Sequence, residues 1–142
     1  MRADILYLLD TNVVSELRRV KPHGAVLAWI NSVRSEDLSI SAITIGEIQR
    51  GIELARETDP QKAKELTRWL DDLQVGIRVI PLDADCMIRW AQFMHRKSPA
   101  LIADAMIAAT ASVHSLTIVT RDVVDFSAFP AVVINPFDYK SP

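Results

Sequence analysis

Four carboxylates of this chain stand where a charge is costly. Asp10 follows the apolar run "ILYLL", at the point where a strand bound for a core would end. Asp122 comes just after a second such run, "LTIVTR". Asp104 is embedded in "LIADAMIAATA", a predicted helix with no polar face to carry a charge into water. Positions 100, 101, 107 and 108 are all apolar, so no lysine or arginine lies one turn away. An isolated carboxylate buried there would cost several kcal/mol. It must stay protonated, find a cation or face a wet cleft. Glu47, in "TIGEIQRGIE", is flanked by isoleucines, and Gly51 one turn on allows a close backbone approach on that face.

Each acid also has an ordinary explanation. Asp10 can cap a helix, since aspartate is a preferred N-cap. Glu47 can sit in solvent and pair with Arg50, and Asp122 can be a turn residue. Asp104 can accept hydrogen bonds from buried neighbours. None of these explains why acids recur both at strand ends and on buried helices, whereas a shared metal pocket accounts for all four. Oxygen ligands without histidine or cysteine select a hard cation, Mg²⁺ or Mn²⁺. One or two such ions activate a water and stabilise the leaving oxygen in phosphoryl transfer.

The elements that must position these acids alternate along the chain. Ile5–Leu9 predicts a strand, and "TNVVSELRR" a helix capped by Asp10 or Thr11. "PHGAVLAWINSV" is a second helix with Pro22 near its start. The strand "DLSISAI" leads into the helix "TIGEIQRGIELAR", which "ETDPQK" separates from the helix "AKELTRWLDDL". "RVIPL" is a third strand, followed by the helices "ADCMIRWAQFMHRK" and "ALIADAMIAATASVHS". "LTIVT" and "AVVIN" complete five strands. This alternation implies an α/β fold in three layers, a parallel sheet covered on both faces. Ligands of such sheets bind beyond the carboxyl ends of the strands, at a topological switch point. If the strands before Asp10 and Asp122 flank that point, the two acids share one crevice.

Composition narrows the function. A chain of 142 residues suits one domain with a proper core, and 49% hydrophobic residues is far from a disordered composition. A net charge of −2 argues against a generic basic polymer binder but permits nucleic acid at a local patch. Cys86, the sole cysteine, excludes an internal disulfide and a zinc knuckle, and reads as a core filler. His23, His95 and His114 are scattered and read as surface or helix-end residues. There is no G-x-S-x-G elbow and no Walker loop. No run approaches a membrane span, and Asp4 and Asp10 interrupt any signal-peptide pattern, so a cytoplasmic home is expected.

The blocks "LDTNVVSELRR", "LSISAITIGEIQRGIE", "DAMIAATA" and "TIVTRDVVDF", in that order, resemble the PIN-domain ribonucleases, and among them the VapC-type toxins of toxin–antitoxin pairs. The resemblance runs from about Leu6 to Phe137 and implies a single PIN domain over residues 1–142, with a five-strand parallel sheet flanked by helices. It places the family's first aspartate on Asp10, its glutamate on Glu47 and its helix-borne aspartate on Asp104. After "TR" the family often has asparagine, with an aspartate three residues on. Here Asp122 and Asp125 are both acidic, so either or both can face the metal. The implied activity is Mg²⁺-dependent endonucleolytic cleavage of RNA, with homodimers usual and a co-expressed antitoxin that inserts a segment into the acidic pocket. The apolar residues of the helix bearing Trp69 point to the same dimeric assembly. Asn12 and Thr120 are placed to orient a ligand or a water. Arg18, Arg19, Lys21, Arg50 and Arg121 are candidates for phosphate contacts, each also readable as a solvated surface charge.

Two other classes put an aspartate after the first strand, receivers and haloacid-dehalogenase-type phosphatases. The second carboxylate of a phosphatase D-x-D is Asn12 here, and no lysine of the phosphatase type follows a late strand. A non-catalytic interaction module of the same fold is the third reading, against which all four acids are present.

Overall fold

Pleat alternation in two short strands divides the core. The computed structural model describes residues 4–142. Its first strand, β1 (Tyr7–Leu9), and a later one, β4 (Thr117–Val119), pair in parallel with Leu8 opposite Ile118 and Leu9 opposite Val119. All four are completely buried, and successive side chains point to opposite faces of the sheet. Leu9 and Val119 join a cluster containing Val13, Ile40, Ile52 and Leu70. Leu8 and Ile118 join another containing Ile107, Ala108 and Phe126.

The remaining strands are β2 (Leu38–Ser41), β3 (Arg78–Ile80) and β5 (Val133–Ile134). The sheet is wholly parallel in the order β3-β2-β1-β4-β5. One face carries α1 (Thr11–Arg18), α2 (Gly24–Ser32), α3 (Ala42–Thr58) and α4 (Pro60–Gly76). The other carries α5 (Ala84–Met94), α6 (Ile102–His114) and α7 (Val123–Phe126). This is the three-layer α/β arrangement expected from the sequence.

Local chemistry sets the helix starts. Asp10 caps α1 by accepting from Thr11 N at 2.8 Å, Ser41 caps α3, and Asp59 caps α4 with Pro60 at its first position. Asp83 caps α5 by accepting from Cys86 N at 3.0 Å. Pro22 lies one residue outside the His23 cap of α2, not within its first turn. The short helix α7 was not predicted, because four residues, "VVDF", are too few to show a helical period. The strands are also shorter than the apolar runs that announced them, and Ile5 is mostly exposed. Nothing approaches within 4 Å of a side-chain carbon built at Gly51, so the close backbone approach allowed there is absent. Gly51 lies on the exposed side of α3.

Candidate active site

The strand order reverses between β1 and β4, and both strands end in polar residues there. Asp10 leaves β1 with its backbone N–H donating to Val119 O at 2.9 Å. Thr120 leaves β4 fully buried, and its hydroxyl donates to Asp10 Oδ2 at 2.7 Å. Asp10 itself is 5% exposed, a nearly buried carboxylate at the switch point. Asp104 enters from the first turn of α6, where the helix dipole favours a negative charge. Its helix is apolar all round because Ala105, Ile107, Ala108, Ala109 and Ala111 are all buried. Asp104 itself is half-buried and faces the other acids.

Glu47 is exposed on α3 and does not pair with Arg50. Its Oε1 accepts from the Thr11 hydroxyl at 2.8 Å, and that hydroxyl lies 3.1 Å from the buried hydroxyl of Thr44. These two threonines tie α1 to α3 beside the cluster, and sequence reasoning had given them no part in it. The only signal was Thr11 beside Asp10.

Asn12 holds the other side together. Its amide donates to Asp10 Oδ2 at 3.3 Å, to Thr120 Oγ1 at 3.3 Å and to Asp122 Oδ2 at 3.2 Å. Its Oδ1 accepts from Arg121 N at 3.3 Å. The Thr120 hydroxyl accepts from Asp122 N at 2.9 Å. Asn12 and Thr120 therefore orient acids through direct hydrogen bonds. Asp122 and Asp125 are both exposed, on the short segment that includes α7.

The acids act on one another electrostatically. Burial pushes the Asp104 carboxyl up to about 6, and Asp10, Asp125, Asp122 and Glu47 push it the same way by repulsion. Burial raises Asp10 as well. Its bonds from Thr120 and Thr11 pull it back, while Glu47 and Asp122 add to the rise. Their oxygens nevertheless stand apart, since among the described residues no three of the five come within 4.8 Å of one another. Mutual repulsion favours that spacing. The donor set is all oxygen and Asp104 forms no salt bridge among the described residues, so the cluster can bind a hard metal ion.

The predicted basic residues divide. Arg121 adjoins the cluster, its guanidinium 3.8 Å above the centre of the Phe137 ring. Arg50 is exposed one turn beyond Glu47. Arg18, Arg19 and Lys21 lie at the far end of α1, roughly 12 Å from its start. Arg19 there pairs with Glu16 at 3.8 Å. Trp29 is buried edge-on against Tyr7, Trp90 donates to Ile102 O at 3.2 Å, and Trp69 packs on the core with Leu66 and Leu73. The apolar residues of α4 that pointed to a dimer thus serve this chain's own core, although Val75 is 90% exposed.

Comparison with known proteins agrees with this fold. Residues 7–131 match the PIN domain family. Toxin FitB of Neisseria gonorrhoeae is 38% identical over 139 residues, covering 93% of this chain and 99% of the relative. VapC ribonuclease Y4jK of Sinorhizobium fredii is 36% identical over 139 residues, with 94% and 99% covered. The solved structure of FitAB bound to an IR36 DNA fragment superposes with a TM-score of 0.81 at 35% identity, covering 96% of this chain and 99% of that one. The chain belongs to the PIN domain family.

Proposed function

We propose that this protein is a metal-dependent endoribonuclease, the toxin of a toxin–antitoxin pair, built as one PIN domain over residues 1–142. The observation that carries this reading is the convergence of Asp10, Glu47, Asp104, Asp122 and Asp125 on the β1–β4 switch point of a PIN fold. The names of the relatives, a toxin and a VapC ribonuclease, support it.

Asp10, Asp104, Glu47 and Asp122 would hold Mg²⁺, for which Mn²⁺ would substitute, and Asp125 faces Asp104 from α7. The bound ion supplies the charge that activates a water and steadies the leaving oxygen of a phosphodiester. Thr120 and Asn12 fix the Asp10 carboxylate and Asn12 also fixes Asp122, while Thr11 fixes Glu47. Arg121 and Arg50 flank the acids and contact backbone phosphates. Arg18, Arg19 and Lys21 contact phosphates farther along the strand. Because phosphate contacts dominate, binding weakens as salt rises.

The purified protein is expected to cut single-stranded regions of RNA with Mg²⁺ or Mn²⁺ and to stop in EDTA. Water as nucleophile leaves 5′-phosphates and 3′-hydroxyls. Terminal analysis finding 2′,3′-cyclic phosphates would reject the mechanism, and no cleavage of any RNA with metal present would reject the function.

The partner is a cognate antitoxin that covers the acidic pocket, a reading supported by the FitAB assembly on DNA. No helix among the described residues is long and apolar enough to cross a membrane, and we place the protein in the cytoplasm. The chain works as a homodimer. Light scattering at micromolar concentration is expected to give twice the mass of one chain, and the mass of a single chain would refute this.

A further inference from the structure

A second group of metal-ligating side chains lies away from the acidic crevice. The cap of α5 brings Asp83 and Cys86 together, because Asp83 Oδ1 accepts from Cys86 N. The Cys86 side chain is fully buried, with Sγ 4.0 Å from Pro81 O. Packing of α5 on α6 then delivers His114, the last residue of α6, to the same place. One carboxylate oxygen of Asp83, the Cys86 sulfur and one ring nitrogen of His114 all lie within 4.8 Å of one another. It is the only such trio of possible ligands among the described residues.

The imidazole of this trio also carries a polar atom that the fold leaves unpaired. His114 Nε2 is buried and has no hydrogen-bond partner, the only side-chain atom of that kind among the described residues. Leaving such an atom unpaired is costly, because its lost hydration is not replaced. The same imidazole supplies the ring nitrogen of the trio, so the protein alone leaves this metal-ligating side chain under-satisfied. The donor types decide which ion. Sulfur, imidazole and carboxylate together suit zinc, whereas the all-oxygen acidic cluster suits a hard cation.

We propose that Asp83, Cys86 and His114 form a zinc-class metal site that fastens the start of α5 to the end of α6. Bonds of about 2.0–2.3 Å to a tetrahedral ion set ligand separations of about 3.5 Å, so the three groups need close by no more than about 1.3 Å on binding. The thiol proton leaves to solvent as the metal–sulfur bond forms, and no electron is transferred. Asp83 is exposed, so the ion enters from that side and water completes its coordination. Asp104 and His114 lie ten residues apart on one helix, about 15 Å by helical rise. The two sites are therefore separate.

Cobalt(II) is the probe, added to the full-length protein after chelator treatment, with millimolar Mg²⁺ present throughout. Only a sulfur ligand gives thiolate-to-cobalt charge-transfer absorption, and Cys86 is the only cysteine. One equivalent of cobalt is expected to produce this band, and Zn²⁺ to bleach it. Asp104→Asn should leave the band unchanged. Cys86→Ala should abolish it, and His114→Gln should weaken binding by about tenfold or more, roughly 1.4 kcal/mol. Because the buried Cys86 position can disturb folding, His114→Gln and Asp83→Asn carry the decision. Zn²⁺ should raise the melting temperature of the parent and of Asp104→Asn but not that of His114→Gln. A parent protein without the band overturns the proposal. So does a band that keeps its full strength and affinity in both His114→Gln and Asp83→Asn.

Discussion

Asp10→Asn and Asp104→Asn are each expected to slow RNA cleavage by on the order of a hundredfold or more, about 2.7 kcal/mol of transition-state stabilisation. Asparagine isolates the charge. It caps helices as well as aspartate does, so Asp10→Asn can keep the bond from Thr11 N while losing its negative charge. Asp104 has no capping bond to lose, and its substitution removes only a carboxylate from a low-dielectric crevice. Glu47→Gln should lose much of the activity. Asp122→Asn should lose less, because Asp125 also faces the cluster, and the double change Asp122→Asn with Asp125→Asn should fall to the level of Asp104→Asn. The rates are read on one RNA at saturating Mg²⁺, with circular dichroism confirming the fold. Parental activity in Asp104→Asn, with contaminating nuclease excluded, would end the metal-pocket assignment.

The same substitution should have the opposite effect on stability. In EDTA at neutral pH, Asp104→Asn is expected to melt higher than the parent by a few degrees, corresponding to roughly 1 kcal/mol once solvent screening is allowed for. The sign follows from linkage. The Asp104 carboxyl is raised from 3.8 to about 6 in the folded protein, so the native state binds more protons than the unfolded chain between those values. Stability in EDTA therefore falls as pH rises through that window and stays low above it. Asp10, raised as well, adds in the same direction. The advantage of Asp104→Asn should vanish when the pH drops below about 4, where both proteins carry a neutral group there. Millimolar Mg²⁺ should raise the parent's melting temperature by mass action and that of the variant much less. Equal Mg²⁺ shifts, or a variant less stable in EDTA, would make Asp104 a structural acid.

How legible the site was depended on whether a residue's position followed from its own neighbours in sequence. Asp104 could be singled out because its helix left no polar face, and α6 is buried as its sequence required. Asp10 could be placed because a strand ends there. The reversal of strand order between β1 and β4, which brings Asp122 beside Asp10, followed from the alternation of elements only as a condition, and pairing of the strands fulfils it. The Thr11–Glu47 bond was not legible. It needs α1 and α3 side by side, a matter of packing between segments 36 residues apart. Gly51 misled because a glycine in a helix suggests proximity, while here it faces solvent. Cys86 was rightly placed in the core and His114 at a helix end, yet nothing in the chain announced that α5 and α6 would bring them together.

The tightest bond of the cluster, Thr120 to Asp10, joins residues 110 positions apart. A ribosome must therefore add 110 residues after Asp10 before this first acid can meet its partner. Asp122 and Asp125 come later still, and β5 must follow to cover the edge of β4. A product truncated anywhere before residue 120 lacks β4's polar end altogether and cannot assemble the crevice. Long-range pairing of this kind is also slow to form. The nascent polypeptide thus carries its acids past the machinery that makes it while they are still apart, and the crevice closes only after β4 and β5 have been made.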